Sequence, residues 1–375
     1  MITRLRIENF RSIKETTVDL HNFNCLVGRN NSGKSNILDS LRFVGDVASR
    51  GFQNAFGARS PNGLVFYGAG EDDFATISVD MVPSPHPAYY SATYKVGFKR
   101  DPNRGFIEEL HFRQDDSDAT DSVVLSSANG AWKLTQKSPK STGTTSGGGH
   151  RLASILSRDE PLVRPVRSWL SGIRMYRFTP ENLKEHGVAE ETAVLEFNGS
   201  NFASRLHTIQ SRHRRFFNAI EDQLKKSFPE VDELQSPLVG QQTAAGIKER
   251  WYEESATGRQ LSDGLVGFLA HLVVLYGPDQ PTLVSFEEPE NYINPRLMER
   301  LVAMLKEAST SSQVLITTHS TSLLNRLDLD DLVVVEKEDK GTTTTRVSAD
   351  IELREHLAGW ALGDAYVSGV LGGVP

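Results

Sequence analysis

The chain has 375 residues, a length that allows one large domain or two ordinary ones. Hydrophobic residues make up 38% and charged residues 24%, a composition that excludes wholesale disorder. A net charge of −7 excludes a general polycation, so contact with nucleic acid would require a local basic patch. The single cysteine, Cys25, excludes an internal disulfide. The start is too polar for a secretory signal, and the most apolar segment, 265–276, is too short to span a bilayer. These features predict a cytoplasmic protein without a membrane partner.

The N-terminal part is predicted to consist mainly of strands. Apolar residues in 1–27 predict a small sheet that leads into a glycine-rich loop. Alternating segments between 74 and 136 predict an antiparallel β-lobe inserted after the first helix. The Ser-, Thr- and Gly-rich residues 137–150 predict a flexible loop, followed by a helix over 151–170 and a strand over 171–178.

The glycine-rich loop, residues 28–35, reads G-R-N-N-S-G-K-S and fits the phosphate-binding pattern G-x-x-x-x-G-K-[ST]. An apolar strand precedes it and a periodic helix follows it, a context that disfavours a chance match. Backbone N–H groups and the helix N-terminus suit an anion, Lys34 suits the β- and γ-phosphates, and the Ser35 hydroxyl suits Mg²⁺. The motif predicts that ATP is bound by Gly28, Arg29, Asn30, Asn31, Ser32, Gly33, Lys34, Ser35 and Asn36.

The middle of the chain is predicted to be helical. Apolar residues at spacings of three and four over 202–228 predict one long amphipathic helix, within a helical lobe of about 180–250. Its basic residues could meet a phosphate backbone, but acidic neighbours favour an ordinary solvated face. The basic residues are Arg212, His213, Arg214, Arg215, Lys225 and Lys226.

From residue 261 onward, strands alternate with helices, which predicts a parallel sheet with its site at the carboxyl ends of the strands. Ser262 is expected to cap a helix that runs to Tyr276. Strands are expected over 282–286, 314–318 and 332–335, and Asn294-Pro295 is expected to start another helix.

Two of these strands end in residues whose side chains could bind a metal, act in catalysis or contact a phosphate. The first ends in Glu287-Glu288-Pro289-Glu290, where one carboxylate could hold Mg²⁺ and the next could polarise water. An acidic turn without function is the alternative. The second ends at Thr317-Thr318-His319-Ser320, which favours a γ-phosphate contact for His319 over a structural role.

The segment Leu261-Ser262-Asp263-Gly264-Leu265 resembles the signature motif of ABC-type ATPases, Leu-Ser-Gly-Gly-Gln in its ideal form. The order of glycine-rich loop, signature, acidic strand end and histidine matches that class. Within it, the chain resembles the RecF/OLD/SMC-like branch of AAA family ATPases. The residues that carry this resemblance are 7–12, 28–36, 261–264, 287–291 and 317–320, with 362–364 and 368–373 similar to small stand-alone members.

The resemblance implies an α/β fold, namely a P-loop ATPase head with a mixed or parallel sheet flanked by helices, an antiparallel β-lobe and a helical lobe. It divides the chain into an N-terminal ATPase lobe, 1–178, a helical lobe or short arm, 179–255, and a C-terminal ATPase lobe, 256–375. No room is left after His319 for the Toprim domain of OLD-type nucleases, so we expect no cutting by this chain alone.

The resemblance also implies a composite site between two heads that sandwich ATP. Ser262, Asp263 and Gly264 of one chain would contact the phosphate held by Lys34 of the other. Glu288 would be the catalytic base, Glu287 would hold Mg²⁺ with Ser35, and His319 would sense the γ-phosphate; 291–294 would be the D-loop. The signature departs from its ideal form at Asp263 and Leu265, Glu287 replaces the usual Asp, and no Q-loop glutamine is identifiable.

The expected function is an ATP-hydrolysing homodimeric switch that acts on DNA or on a separate effector protein, in genome maintenance or anti-phage defence. A RecF-like DNA-binding repair protein and an ATP-bound scaffold with little hydrolysis remain open alternatives. The degraded signature and the missing Q-loop glutamine disfavour the nucleotide-binding subunit of a membrane transporter.

Overall fold

The computed structural model of the protein describes residues 1–57, 59–82, 90–114, 122–129, 131–138, 141–148, 154–158, 163–192, 194–338, 341–349 and 359–371, with the single residues 352, 355 and 357. The chain forms two compact units. The first comprises Met1–Ile173, Leu329–Trp360 and Ala365–Pro375, and the second comprises Arg174–Asp328 and Ala361–Asp364. The three-part division with boundaries after residues 178 and 255 stays a prediction.

The strands, in chain order, are β1 (Ile2–Phe10), β2 (Ile13–Asp19), β3 (Phe23–Val27), β4 (Ala75–Met81), β5 (Tyr90–Phe98), β6 (Phe106–Gln114), β7 (Ser122–Ala128), β8 (Ala131–Ser138), β9 (Ser141–Gly148), β10 (Ile173–Tyr176), β11 (Gly187–Val188), β12 (Val231–Gln235), β13 (Leu238–Val239), β14 (Gln242–Thr243), β15 (Gly246–Glu249), β16 (Ala256–Thr257), β17 (Leu283–Glu287), β18 (Gln313–Thr318), β19 (Leu332–Glu338) and β20 (Gly341–Arg346). The α-helices are α1 (Lys34–Arg50), α2 (Phe52–Ala55), α3 (Pro61–Leu64), α4 (Val163–Ser171), α5 (Pro180–Leu183), α6 (Phe202–Arg212), α7 (Arg214–Ser227), α8 (Asp263–Tyr276), α9 (Met298–Ala308), α10 (Thr321–Leu324) and α11 (Leu362–Val367). Short 3₁₀ turns occur at Ile155–Ser157, Gly258–Gln260, Pro295–Leu297, Leu329–Asp331 and Val347–Ala349.

The first unit is built on an antiparallel sheet of eight strands in the order β2-β1-β4-β5-β6-β7-β8-β9. The predicted meander is confirmed in β4 to β8. The prediction that 1–27 forms a small sheet of its own is wrong, because β1 pairs with both β2 and β4, whereas β3 pairs with β19. A strand pattern shows which residues alternate but not which strand they pair with.

The flexible loop predicted for 137–150 is wrong where the structure describes it. Ser141–Gly148 form β9, which pairs with β8 from Ser138↔Ser141 to Ala131↔Gly148. An edge strand needs backbone hydrogen bonds on one side only and no core side chains, so a Ser/Thr/Gly composition can supply it. A Cβ at Gly147 would lie 2.7 Å from the Trp132 ring, which explains the small residue there. Residues 139, 140, 149 and 150 lie outside the described residues.

An aromatic cluster fixes α1 to the eight-stranded sheet. The Phe43 ring on α1 lies 5.1 Å from that of Phe98 on β5, and Phe52 on α2 stacks on Phe106 of β6 at 3.8 Å. All four side chains are fully buried. Buried aromatic pairs contribute about 1 kcal/mol each beyond the area they bury. The helix that follows the glycine-rich loop is therefore held firmly by the sheet.

A buried carboxyl group, Glu108 on β6, also lies in this unit. Its Oε1 accepts hydrogen bonds from the Tyr94 hydroxyl at 2.6 Å and from Ser154 Oγ at 2.7 Å. Its Oε2 accepts one from the backbone N–H of Ile155 at 2.6 Å. Burial outweighs these hydrogen bonds and raises the pKa of Glu108 to about 7.

We expect Glu108 to make the protein less stable as pH rises from 4.5 to 7. Over that range the unfolded chain releases this proton while the folded protein keeps it, so the free energy of unfolding falls, by about 3 kcal/mol in all. The E108Q variant should lose this part of the pH dependence, whereas E15Q, an exposed control, should keep it. Denaturant unfolding at several pH values measures both. Equal slopes for wild type and E108Q would contradict the assignment.

The remaining strands of the first unit combine parallel and antiparallel pairs. β3 and β19 are parallel, with Leu332 opposite Cys25, and β19 and β20 are antiparallel. The parallel pairing expected for the strand at 332–335 is confirmed, while β20 was not predicted.

In the second unit, the predicted alternation of strands and helices from residue 261 is confirmed. β17 and β18 are parallel, and Ser262 caps α8 through a hydrogen bond from the backbone N–H of Leu265. Asn294 likewise accepts a hydrogen bond from the backbone N–H of Arg296 at the start of the next helical turn. In the described ranges, no helix is both long and apolar enough to cross a membrane.

The single long helix predicted for 202–228 is wrong. The chain forms α6 and α7, separated at His213, whose φ of −130° and ψ of 50° are not helical. A break of one residue leaves the spacing of apolar side chains almost unchanged, so the periodicity does not show it. The segment around these helices also contains two small antiparallel sheets, β11-β14-β13 and β12-β15-β16, whose strands are too short to show alternation.

The predictions for 151–178 are partly confirmed. α4 covers the end of the predicted helix, and β10 lies inside the predicted strand 171–178. The start of the predicted helix is a 3₁₀ turn at Ile155–Ser157, and its residues 151–153 and 159–162 lie outside the described residues.

Candidate functional site

The glycine-rich loop joins β3 to α1, as predicted, and two of its positions require glycine. A Cβ at Gly28 would lie 2.0 Å from the carbonyl oxygen of Val335. Gly33 has a φ of +115°, and a Cβ there would lie 2.8 Å from Thr342 Oγ1. The backbone of the loop is therefore packed closely against β19 and β20.

Side chains from distant parts of the sequence brace this loop. The Thr342 hydroxyl donates a hydrogen bond to the carbonyl of Ser32 at 3.0 Å, and the Tyr366 hydroxyl donates one to the carbonyl of Gly28 at 3.3 Å. Asn36 Nδ2 donates to Ser12 Oγ at 2.6 Å. Sequence reasoning missed Thr342 and Tyr366 because their contacts with the loop span more than 300 residues, although Tyr366 lies between the two C-terminal segments 362–364 and 368–373 noted above.

The loop contains a buried lysine and a buried hydroxyl group. The Lys34 ammonium is buried and donates to the carbonyls of Gly28 at 2.7 Å and Arg29 at 2.8 Å. The Ser32 hydroxyl is buried and has no hydrogen-bond partner among the described residues. α1 has no capping side chain at its N-terminus and no acidic residue in its first turn. The Ser32 hydroxyl, the buried cation of Lys34 and the uncapped N-terminus of α1 together fit an anion such as a phosphate.

The acidic residues lie in the second unit, at the carboxyl end of β17. Glu287 is opposite Thr317 in the parallel pair β17–β18. Its side chain is 10% exposed, and its Oε2 lies 3.6 Å from a guanidinium nitrogen of Arg177. Glu288 follows in a left-handed conformation, with φ of 49°, and its backbone N–H donates to the carbonyl of Thr317 at 3.1 Å. The change of conformation turns two consecutive carboxylates in different directions.

The left-handed turn brings Glu288 to His319. Glu288 Oε1 lies 3.8 Å from Nε2 of His319, and Glu288 Oε2 accepts a hydrogen bond from Asn291 Nδ2 at 2.7 Å. The structure thus groups three of the residues singled out by the sequence. The side chains of Glu288 and His319 are each about one-third exposed, so they remain accessible to water.

The signature-like residues lie at the N-terminus of α8. Ser262 and Asp263 are exposed, and Asp263 forms an ion pair with Lys184. A Cβ at Gly264 would lie 2.9 Å from the carbonyl oxygen of Tyr292, so this position requires glycine for close packing. The contact joins the start of α8 to the segment 291–294, the expected D-loop.

Comparison with known proteins agrees with these features. Residues 1–79 match the family described as "AAA ATPase domain", and residues 179–325 match "AAA domain, putative AbiEii toxin, Type IV TA system". The Old nuclease of Escherichia phage P2 is 23% identical over 94% of this chain and 62% of its own length. The DNA replication and repair protein RecF of Pasteurella multocida is 46% identical over 61 residues, 16% of each chain. The chain therefore spans about three-fifths of the Old nuclease and a small part of RecF.

Among solved structures, the SMC head bound to the C-winged helix domain of ScpA has the same fold, with a TM-score of 0.53. The identity is 15%, and the alignment covers 92% of this chain and 96% of the other. The fold is that of an ABC-type P-loop ATPase head with an antiparallel β-lobe and a helical lobe. Together, the two family matches and the two relatives fit an AAA-type ATPase related to the OLD and RecF proteins.

Proposed function

We propose that this protein binds ATP with Mg²⁺ in the glycine-rich loop, hydrolyses it, and uses the cycle as a switch. The observation that carries the proposal is the loop itself. Gly28 and Gly33 pack where no Cβ fits, Lys34 donates to the carbonyl of Gly28, and the buried Ser32 hydroxyl has no partner among the residues that the structure describes. The match of residues 1–79 to the AAA ATPase domain supports the choice of a nucleoside triphosphate over a simpler anion.

The proposal gives each site residue a role. Gly28 to Asn36 bind the phosphates, with Lys34 as the cation, and Ser35 and Glu287 hold Mg²⁺, which neutralises charge on the phosphates. Glu288 is the general base that accepts the proton of the attacking water. His319 contacts the γ-phosphate, and its position 3.8 Å from Glu288 supports a joint role.

We further propose that two copies close around ATP. The exposed position of Ser262, beside Gly264 at the N-terminus of α8, suits a phosphate held by the partner's loop, and Asp263 lies next to it. The switch then acts on a separate effector protein or on DNA in the cytoplasm, in defence or repair. The names of the relatives, a nuclease and a replication and repair protein, support a nucleic-acid setting. Exposed Arg214 and Arg215 on α7 are candidates for the contact.

The K34A variant tests nucleotide binding. Loss of a buried, hydrogen-bonded cation from the phosphate site should weaken ATP binding by about 100-fold, since hydrogen bonds to charged groups contribute about 1.5–3 kcal/mol. Titration calorimetry with a slowly hydrolysed ATP analogue and Mg²⁺ measures the affinity. K226A removes an exposed lysine on α7 and should bind as wild type does. Wild-type affinity in K34A would refute the assignment of the loop.

A further inference from the structure

Glu290 joins the acidic turn of β17 to the segment that carries His319. Its Oε1 accepts a hydrogen bond from the Thr318 hydroxyl and lies 3.4 Å from the backbone nitrogen of His319, which donates to it. The Thr318 side chain is fully buried, and its Oγ1 also accepts from the backbone N–H of Ser320 at 2.9 Å. One carboxylate oxygen therefore holds the side chain of Thr318 and the backbone of His319, and the Thr318 hydroxyl in turn holds the backbone of Ser320.

The second oxygen of the same carboxylate is in an unusual position. Glu290 Oε2 is buried and has no partner among the described residues. Burial raises the pKa of Glu290, and the negative charge of Glu288 acts in the same direction. An incompletely satisfied buried carboxyl group costs stability. Core packing alone does not account for a carboxyl group here, because an apolar side chain would avoid that cost.

Glu288 and Glu290 lie in the same acidic turn, two residues apart along the backbone. Asn291 holds Glu288 through a side-chain hydrogen bond at 2.7 Å, and its backbone N–H donates to the carbonyl of Glu288 at 3.0 Å. Glu290 lies within the same turn and binds the His319 segment. The distance of 3.8 Å between Glu288 and His319 is thus set by two linked attachments.

We propose that Glu290 is a positioning residue, which fixes His319 relative to the general base Glu288. This inference rests on the proposed function, in which Glu288 and His319 act on the same phosphate. Glu290 does not touch substrate; it acts through the Thr318 hydroxyl and the backbone of His319. Removing it should misplace the histidine while the phosphate-binding loop is unaffected.

The kinetic test compares E290A, E290Q, T318V and the double variant E290A/T318V. E290A should lower kcat about 10- to 100-fold, because a small misplacement of a reacting group has effects of this size, with ATP affinity unchanged. E290Q keeps an acceptor oxygen at the same distance and should restore most of the rate. The double variant should be slowed by less than the product of the two single effects, since both changes break the contact between Thr318 and Glu290. E299A, which removes an exposed glutamate from α9, is the matched control.

A spectroscopic test is independent of hydrolysis. In protein labelled with ¹⁵N-histidine, the amide resonance of His319, assigned with His319→Gln, should shift in E290A and return toward its wild-type position in E290Q. If E290A does not fold, E290Q and T318V carry the test, with T318V expected to shift the resonance. If wild type does not hydrolyse ATP but the resonance shifts as described, the proposed function fails and the attachment stands.

Three results would overturn the inference. They are a kcat in E290A within twofold of wild type, an E290Q variant as slow as E290A, or a His319 amide that does not respond to any of these changes. The second result would mean that the charge of Glu290 acts directly rather than through position.

Discussion

Replacing Glu288 with Gln is expected to lower the rate of ATP hydrolysis by at least about 100-fold and to leave ATP binding intact. General bases contribute about 10²- to 10⁴-fold to rates, and an amide cannot take the proton. The substitution keeps the size of the side chain and an oxygen for the hydrogen bond from Asn291. The turn at 288–291 should therefore keep its shape, so the loss reports chemistry rather than folding.

The same variant tests the dimer. If two copies close around ATP and separate after hydrolysis, E288Q should accumulate as an ATP-bound dimer. Light scattering during gel filtration then shows twice the 41.5 kDa mass of the chain when ATP and Mg²⁺ are present. E287Q is the matched control, because in the proposal Glu287 holds Mg²⁺ and does not act as the base. This variant should bind ATP more weakly in the presence of Mg²⁺ and should not accumulate as a dimer. A dimer trapped by E287Q and not by E288Q would mean that the two roles are exchanged.

The division of roles between Glu287 and Glu288 shows what the structure adds to the sequence. The motif places two adjacent carboxylates at a strand end and leaves their functions uncertain, since Glu287 stands where Asp is usual. The structure separates them by backbone conformation. Glu287 completes β17 opposite Thr317, whereas Glu288 has a φ of 49° and reaches His319. The contact with the histidine supports Glu288 as the base.

Features that depend on neighbouring residues could be predicted from the sequence. The strand, loop and helix around Gly28 to Ser35 follow from local patterns, and so does the Ser262 cap of α8. Each of these elements is specified by side chains within a few residues, through turn conformation, capping or helical spacing.

Features that depend on distant partners could not be predicted. β1 and β2 join the meander, and β9 forms because β8 offers an unpaired edge, although its own residues suit a loop. Thr342 and Tyr366 brace the loop across more than 300 residues of sequence. Glu290 lies in the motif, but its contact with the His319 segment depends on the parallel pairing of β17 and β18.

Gly28→Ala should disrupt the phosphate site without removing any functional group. The new methyl group would lie 2.0 Å from the carbonyl oxygen of Val335, far inside van der Waals contact, so the loop or β19 must move. Overpacking of this kind costs about 1–3 kcal/mol of stability. The Gly28 carbonyl also accepts hydrogen bonds from Lys34 and Tyr366, so its displacement should release the lysine from its position.

We therefore expect G28A to have a lower melting temperature and to bind ATP at least about 10-fold more weakly than wild type, because one charge-assisted hydrogen bond is lost. Gly63→Ala is the matched control, since a Cβ at Gly63 meets no atom within 4 Å. Differential scanning calorimetry with and without nucleotide measures both quantities. Adding nucleotide should raise the melting temperatures of wild type and G63A. The rise should be much smaller for G28A, because stabilisation by a ligand depends on its affinity. If G28A matches G63A in both measurements, the close packing of the loop on β19 does not set the geometry of the phosphate site.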